Sequence, residues 1–226
     1  MTKAILIDID DTLLDFHKNA RAALKAGLEA RGVPFREEYF TTFESMNAAL
    51  WQRIERKEIT NSELFAIRFP TIFRALGIGG FDPLLFEDEF RKNLHSGTEP
   101  VPGAEALLRY LSAKYAVYAV SNSLHEQQEV RLRKAGFLPF FSGIFTSGLF
   151  GVSKPSPEFF DAVFSRIDPI RPEETFLIGD SLSADISGSL AYGIPTIWFN
   201  YRRKDEPENL PVKKTVYSLN EIQNLL

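Results

Sequence analysis

An α/β fold is what the sequence predicts: a parallel sheet interrupted by an inserted helical domain. Short apolar runs that end in polar turn residues recur at Ala4–Ile7, Ala116–Val120 and Thr175–Ile178. Such runs read as strands buried on both faces. Beyond Pro100 they alternate with stretches of helical periodicity, the pattern of a parallel sheet with right-handed crossovers. Residues 18–94, by contrast, carry helical periodicity and little strand signal.

Taken in order, Ala4-Ile5-Leu6-Ile7 is a strand that runs into Asp8, Asp10 and Asp11. Ala22, Ala23, Leu24, Leu28 and Ala30 then mark a helix closed by Gly32 and Pro34. Tyr39, Phe40, Phe43, Met46, Leu50, Trp51 and Ile54 mark a second. Thr60-Asn61-Ser62-Glu63 starts a third, with Leu64, Phe65, Phe69, Ile72, Phe73 and Leu76 on its apolar face. Gly77, Gly79 and Gly80 break it, and Pro83–Leu94 forms a fourth. Four helices of this kind pack on one another.

Pro102-Gly103 opens a helix through Leu111, and residues 116–121 are a strand ending in Ser121-Asn122-Ser123. A helix follows from about Leu124 to Ala135, then a short strand over Gly143–Ser147 and a helix over Ser156–Ile167. Residues 175–180 are a strand ending in Asp180. A helix over Ser183–Ala191, a strand over Ile194–Phe199, and a short strand and helix in 215–226 complete the chain. The expected domains are a discontinuous core, 1–14 with 98–226, and a helical cap, 15–97. The cap leaves the chain at the Asp8–Leu14 loop, so it is expected over the carboxyl ends of the strands as a lid.

Composition excludes several classes of function. Of 226 residues, 44% are hydrophobic and 25% charged, which is ordinary for a globular protein. The net charge of −4 argues against a nucleic-acid polymer or a membrane surface as partner. No run of eighteen apolar residues could span a membrane. The N-terminus enters a strand without a signal-peptide pattern, so a cytoplasmic location is expected. The absence of cysteine rules out disulfides, thiol nucleophiles and thiolate metal sites. The three histidines show no metal-ligand spacing. Twenty phenylalanines point to aromatic packing between helices.

Polar side chains gather at the strand ends: Asp8 and Asp10, Ser121 with Asn122, Lys154, and Asp180 with Asp185. In a parallel sheet these ends converge on one face. Clustered carboxylates repel one another unless a cation sits among them, and a hard divalent ion such as Mg²⁺ suits oxygen ligands. The plainer alternative is an Asx-turn or helix cap after an ordinary strand. Lys154 has the alternative of a solvated lysine, although Pro155 and Pro157 mark a fixed loop. Ser121-Asn122-Ser123 can cap the following helix and still serve a phosphate. The set as a whole suits phosphoryl transfer through a carboxylate. One aspartate attacks phosphorus, and a second supplies and then removes a proton.

In order and spacing, Asp8-Ile9-Asp10-Asp11-Thr12-Leu13, Ser121-Asn122, Lys154-Pro155 and Gly179-Asp180 with Asp185 resemble the four motifs of the haloacid dehalogenase (HAD) superfamily. The resemblance implies a Rossmann-like core with a helical cap and an Mg²⁺ cofactor. It implies that Asp8 is nucleophile and metal ligand. Asp10 would be general acid/base and give the metal its backbone carbonyl. Ser121, Asn122 and Lys154 would bind the phosphoryl group, Asp180 the metal, and Asp185 would support the metal site. The family often has glycine where this chain has Asp11, whose carboxylate is expected to point away and cap the loop.

Asp11-Thr12-Leu13-Leu14-Asp15-Phe16, Asn47–Trp51, Arg68-Phe69 and residues 179–186 resemble, more narrowly, bacterial pyrimidine 5′-nucleotidases of the YjjG/YfnB type. That resemblance implies a nucleoside monophosphate substrate. Asn47, Trp51 and Arg68 are then candidate pocket residues, with packing in the cap as their alternative. A monomer or weak homodimer is expected. A phosphoglycolate or sugar-phosphate phosphatase, a phosphomutase and a non-catalytic binding protein are the competing functions. A 2-haloacid dehalogenase would need neither Asp10 nor a metal.

Overall fold

The computed structural model describes residues 2–206, 212 and 214–226. Among them, six strands form one parallel sheet in the order β3-β2-β1-β4-β5-β6. These are β1 (Ala4–Asp8), β2 (Ala116–Ser121), β3 (Gly143–Thr146), β4 (Thr175–Gly179), β5 (Thr196–Phe199) and β6 (Lys214–Val216). In the central strand β1 all five residues are buried. Side chains alternate across a strand, so Ile5 and Ile7 enter one core while Leu6 enters the other.

The chain forms two compact units, Met1–Asp15 with Thr98–Leu226, and Phe16–Gly97. In the sheet unit, Ile5, Ile7, Val117 and Ile178 pack with Leu107, Leu108 and Leu111 of a helix at Ala104–Ser112. On the other face, Leu6, Val120 and Leu177 pack with Phe159, Phe160 and Val163 of a helix at Pro157–Phe164. Burying each such side chain stabilises the fold by roughly 1.5–3 kcal/mol. Two short paired segments close the sheet unit where the insertion departs: Leu14 bridges Pro100, Val101 N–H donates to Leu13 O, and Asp15 N–H donates to Glu99 O, both at 2.9 Å.

The inserted unit consists of α1 (Phe16–Glu29), α2 (Glu37–Glu55), α3 (Asn61–Leu76) and α4 (Pro83–Ser96). Its helix starts follow the local sequence. Thr60 and Glu63 form a reciprocal capping box, with Glu63 N–H on Thr60 Oγ1 at 3.2 Å and Thr60 N–H on Glu63 Oε2 at 2.8 Å. Asp82 Oδ1 caps α4 by accepting from Leu84 N–H at 2.8 Å, with Pro83 in the first turn. Phe43, Phe69, Phe73, Phe86 and Phe90 make the core, and the Phe69 and Phe86 rings meet edge-on at 4.7 Å between centroids.

The sheet unit's other helices are α5 (Ala104–Ser112), α6 (His125–Lys134), α7 (Ser147–Phe150), α8 (Pro157–Phe164), α9 (Gly188–Ala191) and α10 (Leu219–Ile222). Several stretches differ from the sequence expectation, among them β5, which begins at Thr196 rather than Ile194. β3 stops at Thr146, whose Oγ1 accepts from Leu149 N–H at 3.2 Å and so starts α7. α8 ends at Phe164, short of Ile167. The helix expected over Ser183–Ala191 divides into a π-helical turn, Leu182–Ser187, and α9. Local hydrogen bonds explain that turn: Ser181 Oγ accepts from Ala184 N–H at 3.1 Å, and Ser187 Oγ donates five residues back to Leu182 O at 2.7 Å.

Candidate active site

β1 delivers Asp8 to the carboxyl edge of the sheet, and the chain turns sharply after it. Leu13 N–H and Leu14 N–H both donate to Ile9 O at 2.9 Å, and Asp11 N–H donates to Leu14 O at 2.8 Å. The turn places Asp11 in the left-handed region, φ 59°. This is the conformation glycine adopts freely, and Asp tolerates it better than most side chains. The Asp11 carboxylate accepts from Arg202 Nη2 at 2.8 Å.

Lys154 stands at the centre of the site and is almost wholly buried, 1% exposed. Its three donors are all engaged: Nζ donates to Asp8 Oδ1 at 2.8 Å, to Asp185 Oδ1 at 2.6 Å and to Val120 O at 3.1 Å. Burial works against its charge, but Asp185 and Asp8 outweigh burial and hold its pKa above the ordinary lysine value. Asn122, just past the end of β2, fixes the Lys154 backbone from both sides. Asn122 Oδ1 accepts from Lys154 N–H and Asn122 Nδ2 donates to Lys154 O, both at 2.8 Å. Both amide atoms are thereby engaged with the lysine loop, and the second N–H of Asn122 Nδ2 is not used by these bonds.

Asp185 reaches the site from the π-helical turn, where Oδ2 accepts from Ser181 N–H at 3.1 Å. Gly179 makes room for it, since a Cβ there would lie 2.3 Å from Asp185 Oδ2. Asp180 stands beyond the end of β4. Its carbonyl accepts from Trp198 Nε1 at 3.0 Å and its carboxylate from Lys204 Nζ at 2.9 Å. Asn200 grips the Lys204 backbone with two bonds of 2.8 Å, as Asn122 grips Lys154.

Carboxylate oxygens of Asp8, Asp180 and Asp185 all lie within 4.8 Å of one another. Burial pushes the Asp8 pKa well up against the pull of Lys154, and the charges of Asp185 and Asp180 add to the rise. Burial likewise pushes Asp180 up to about 6, with Asp11 and Asp185 adding and Lys204 opposing. Asp8 and Asp180 thus lack full compensation from the lysines. A hard divalent cation fits this set, which offers oxygen donors alone.

Asp10 faces a different group of side chains, supplied by α6. Its Oδ1 accepts from Arg131 Nη1 at 2.5 Å and its Oδ2 from Gln128 Nε2 at 2.6 Å. Gln128 Nε2 also donates to Ser121 Oγ at 2.9 Å, which joins Asp10 to Ser121. The sequence expectations omit Gln128, Arg131, Arg202 and Lys204. The first two lie three residues apart, hence on one helix face, in the helix that starts just past Ser121, but in sequence that face is indistinguishable from a solvated one. The two basic residues follow β5 in a loop whose course no periodicity reports.

Within the inserted unit, Asn47 and Arg68 are brought together, and Trp51 lies one turn beyond Asn47 on α2. Arg68 Nη1 donates to Asn47 Oδ1 at 3.0 Å, and its Nε donates to Glu87 Oε2 at 2.9 Å. Nη2 makes a second bond to Glu87, so the pair is bidentate, and both side chains are 3% exposed. Asn47 is buried and Trp51 half-buried. A guanidinium this deep needs a carboxylate, and α4 supplies it.

A model of the haloacid dehalogenase-like hydrolase family matches residues 2–193. The chain is 33% identical to the HAD-hydrolase YfnB of Bacillus subtilis over 99% of this chain and 93% of that protein. It is 32% identical to the pyrimidine 5′-nucleotidase PynA of Streptococcus pneumoniae over 99% of this chain and 94% of that one. Against the pyrimidine 5′-nucleotidase YjjG of Escherichia coli the identity is 27%, over 98% and 96% of the two chains. The crystal structure of YfnB bound to magnesium, described as revealing interdomain movement, overlays with a TM-score of 0.93 at 33% identity, over 100% of this chain and 98% of that one.

Proposed function

The chain belongs to the haloacid dehalogenase-like hydrolase family and is a phosphoric monoester hydrolase; we propose that it works through an Asp8 phosphoryl intermediate, depends on Mg²⁺, and acts on pyrimidine nucleoside 5′-monophosphates. The observation that carries the mechanism is Lys154 Nζ bridging Asp8 and Asp185 at 2.8 and 2.6 Å beside a third carboxylate, Asp180. The substrate class is supported by the two relatives that are pyrimidine 5′-nucleotidases and that align along nearly their whole length.

Asp8, Asp180 and Asp185, with the backbone carbonyl of Asp10, would hold the metal. When bound, it neutralises phosphoryl charge and orients the ester. The free oxygen of Asp8 attacks phosphorus, the P–O bond to the nucleoside breaks, and Asp10 protonates the departing oxygen. Lys154, kept charged by its two aspartates, offsets the negative charge on the phosphoryl oxygens, and Ser121 donates to one of them. Asn122 acts through Lys154 by fixing its loop. In the second half, Asp10 takes a proton from water, whose oxygen displaces Asp8 from phosphorus.

Phosphate release with Mg²⁺ from nucleoside monophosphates, sugar phosphates and phosphoglycolate, with Asp8→Asn as control, tests the proposal. Preference for UMP, dUMP or dTMP that vanishes in Asp8→Asn is the expected result. Preference for another ester with the same Asp8 dependence would keep the mechanism and discard the nucleotide assignment. Turnover that survives in Asp8→Asn would overturn the mechanism.

A further inference from the structure

We propose that Gln128 and Arg131 of α6 are positioning residues that hold Asp10 as the base of the second half-reaction. The inference rests on the role assigned to Asp10 above. Gln128 is 0% and Arg131 3% exposed, whereas charged and amide side chains seldom occupy the interior without a partner. Their bonds leave no freedom of orientation. Arg131 Nη1 donates to Gln128 Oε1 at 2.9 Å, so the Gln128 amide must present Nε2 to Asp10 Oδ2 and Ser121 Oγ. Arg131 Nη1 also donates to Asp10 Oδ1. Each oxygen of Asp10 therefore receives an N–H, which fixes the orientation of the carboxylate.

A second observation separates this arrangement from ordinary packing. Nε and Nη2 of Arg131 are buried without a hydrogen-bond partner among the described residues. Unpartnered buried donors destabilise a fold, so stability alone does not account for an arginine here. Its pairing with Asp10 does.

The step it serves is balanced as follows. Water gives a proton to Asp10, and the water oxygen bonds to phosphorus. The bond between phosphorus and the Asp8 oxygen breaks, its electron pair returns to the Asp8 carboxylate, and inorganic phosphate is freed. Asp10 then carries the proton that the leaving oxygen of the next ester receives. Fixing the direction in which the Asp10 oxygens point serves the water step, which needs that carboxylate aimed at the attacking water.

The test uses Gln128→Met, close to isosteric, and Arg131→Lys, each checked for folding by circular dichroism. The substrate is p-nitrophenyl phosphate with Mg²⁺, whose phenolate leaves without an acid. Loss of a positioned base should lower kcat about 100-fold while kcat/KM, which reports formation of the intermediate, changes less than about threefold. Rapid mixing should then show a burst of about one nitrophenolate per site before slow turnover. Equal loss in kcat and kcat/KM without a burst, or no loss in either, would overturn the inference. If Arg131→Lys does not fold, Gln128→Met decides alone. Failure of the underlying reading looks different: the unmodified protein would then show no Asp8-dependent turnover at all.

Discussion

Asn122 and Lys154, one just past the end of β2 and the other in a loop 32 positions on, hold each other by paired hydrogen bonds of 2.8 Å. Asn122→Leu removes both. The expected cost is about 2 kcal/mol in stability, at ~1 kcal/mol per bond. The larger effect is expected on catalysis, on the order of 100-fold in kcat/KM, because the ammonium group shifts relative to Asp8. Urea denaturation and steady-state kinetics measure the two separately. Normal kinetics in a destabilised variant would show that Lys154 holds its place without Asn122.

Gly179→Ala places a methyl group 2.3 Å from Asp185 Oδ2, so the carboxylate must turn away from Lys154. The variant should be destabilised by about 1–3 kcal/mol. Its activity should fall to that of Asp185→Ala. Activity near that of the unmodified protein would show that Asp185 has another usable position.

Asp180→Asn should melt higher than the unmodified protein when both are free of metal at pH 7.5. The folded-state pKa of Asp180, about 6, lies above the ordinary 3.8, so folding disfavours the ionised form. The destabilisation is absent below the lower value, grows between the two, and is complete above the higher. Lowering the pH to about 3.5 should erase the difference between the proteins. Mg²⁺ at a hundred times its dissociation constant should stabilise the unmodified protein by about 2.7 kcal/mol and Asp180→Asn by far less. Calorimetry with and without chelator reads all of these effects.

Arg68→Leu should cost about 3–5 kcal/mol, because it leaves the Glu87 carboxylate buried and unpaired. Replacing both residues, Arg68→Leu with Glu87→Met, should restore most of the loss. Denaturant titration of the single and double variants checks this. A raised nucleotide KM in the fully stable double variant would instead support the pocket role that the sequence resemblance implies for Arg68.

The sheet was legible because β1, β2 and β4 are uninterrupted apolar runs, and a buried parallel strand needs nothing else. The inserted helices were legible from their apolar periodicity, and the third also from the Thr60–Glu63 start, whose partners are close in sequence. The aspartates were legible because three of them follow an apolar run. What could not be read was long-range or geometric. Glu87 meets Arg68 across 19 positions, and Arg131 meets Asp10 across 121. A buried polar face on α6 resembles a solvated one until the helix is docked. The π-helical turn depends on hydrogen bonds from Ser181, Asp185 and Ser187 that hydrophobic periodicity does not register.

The central strand leaves the ribosome long before the strands it pairs with. Ala4 pairs with Ala116 on one side and Thr175 on the other, so β1 waits for its neighbours while roughly 110 and 170 further residues are made. At synthesis rates of about 5–20 residues per second, that is on the order of ten seconds with two open edges and an apolar surface in water. The helical unit, Phe16–Gly97, has a core drawn from its own contiguous residues and needs no such delay. Until those neighbours emerge β1 stays unpaired, and a chaperone that shields short apolar segments would find its target in Ala4–Ile7.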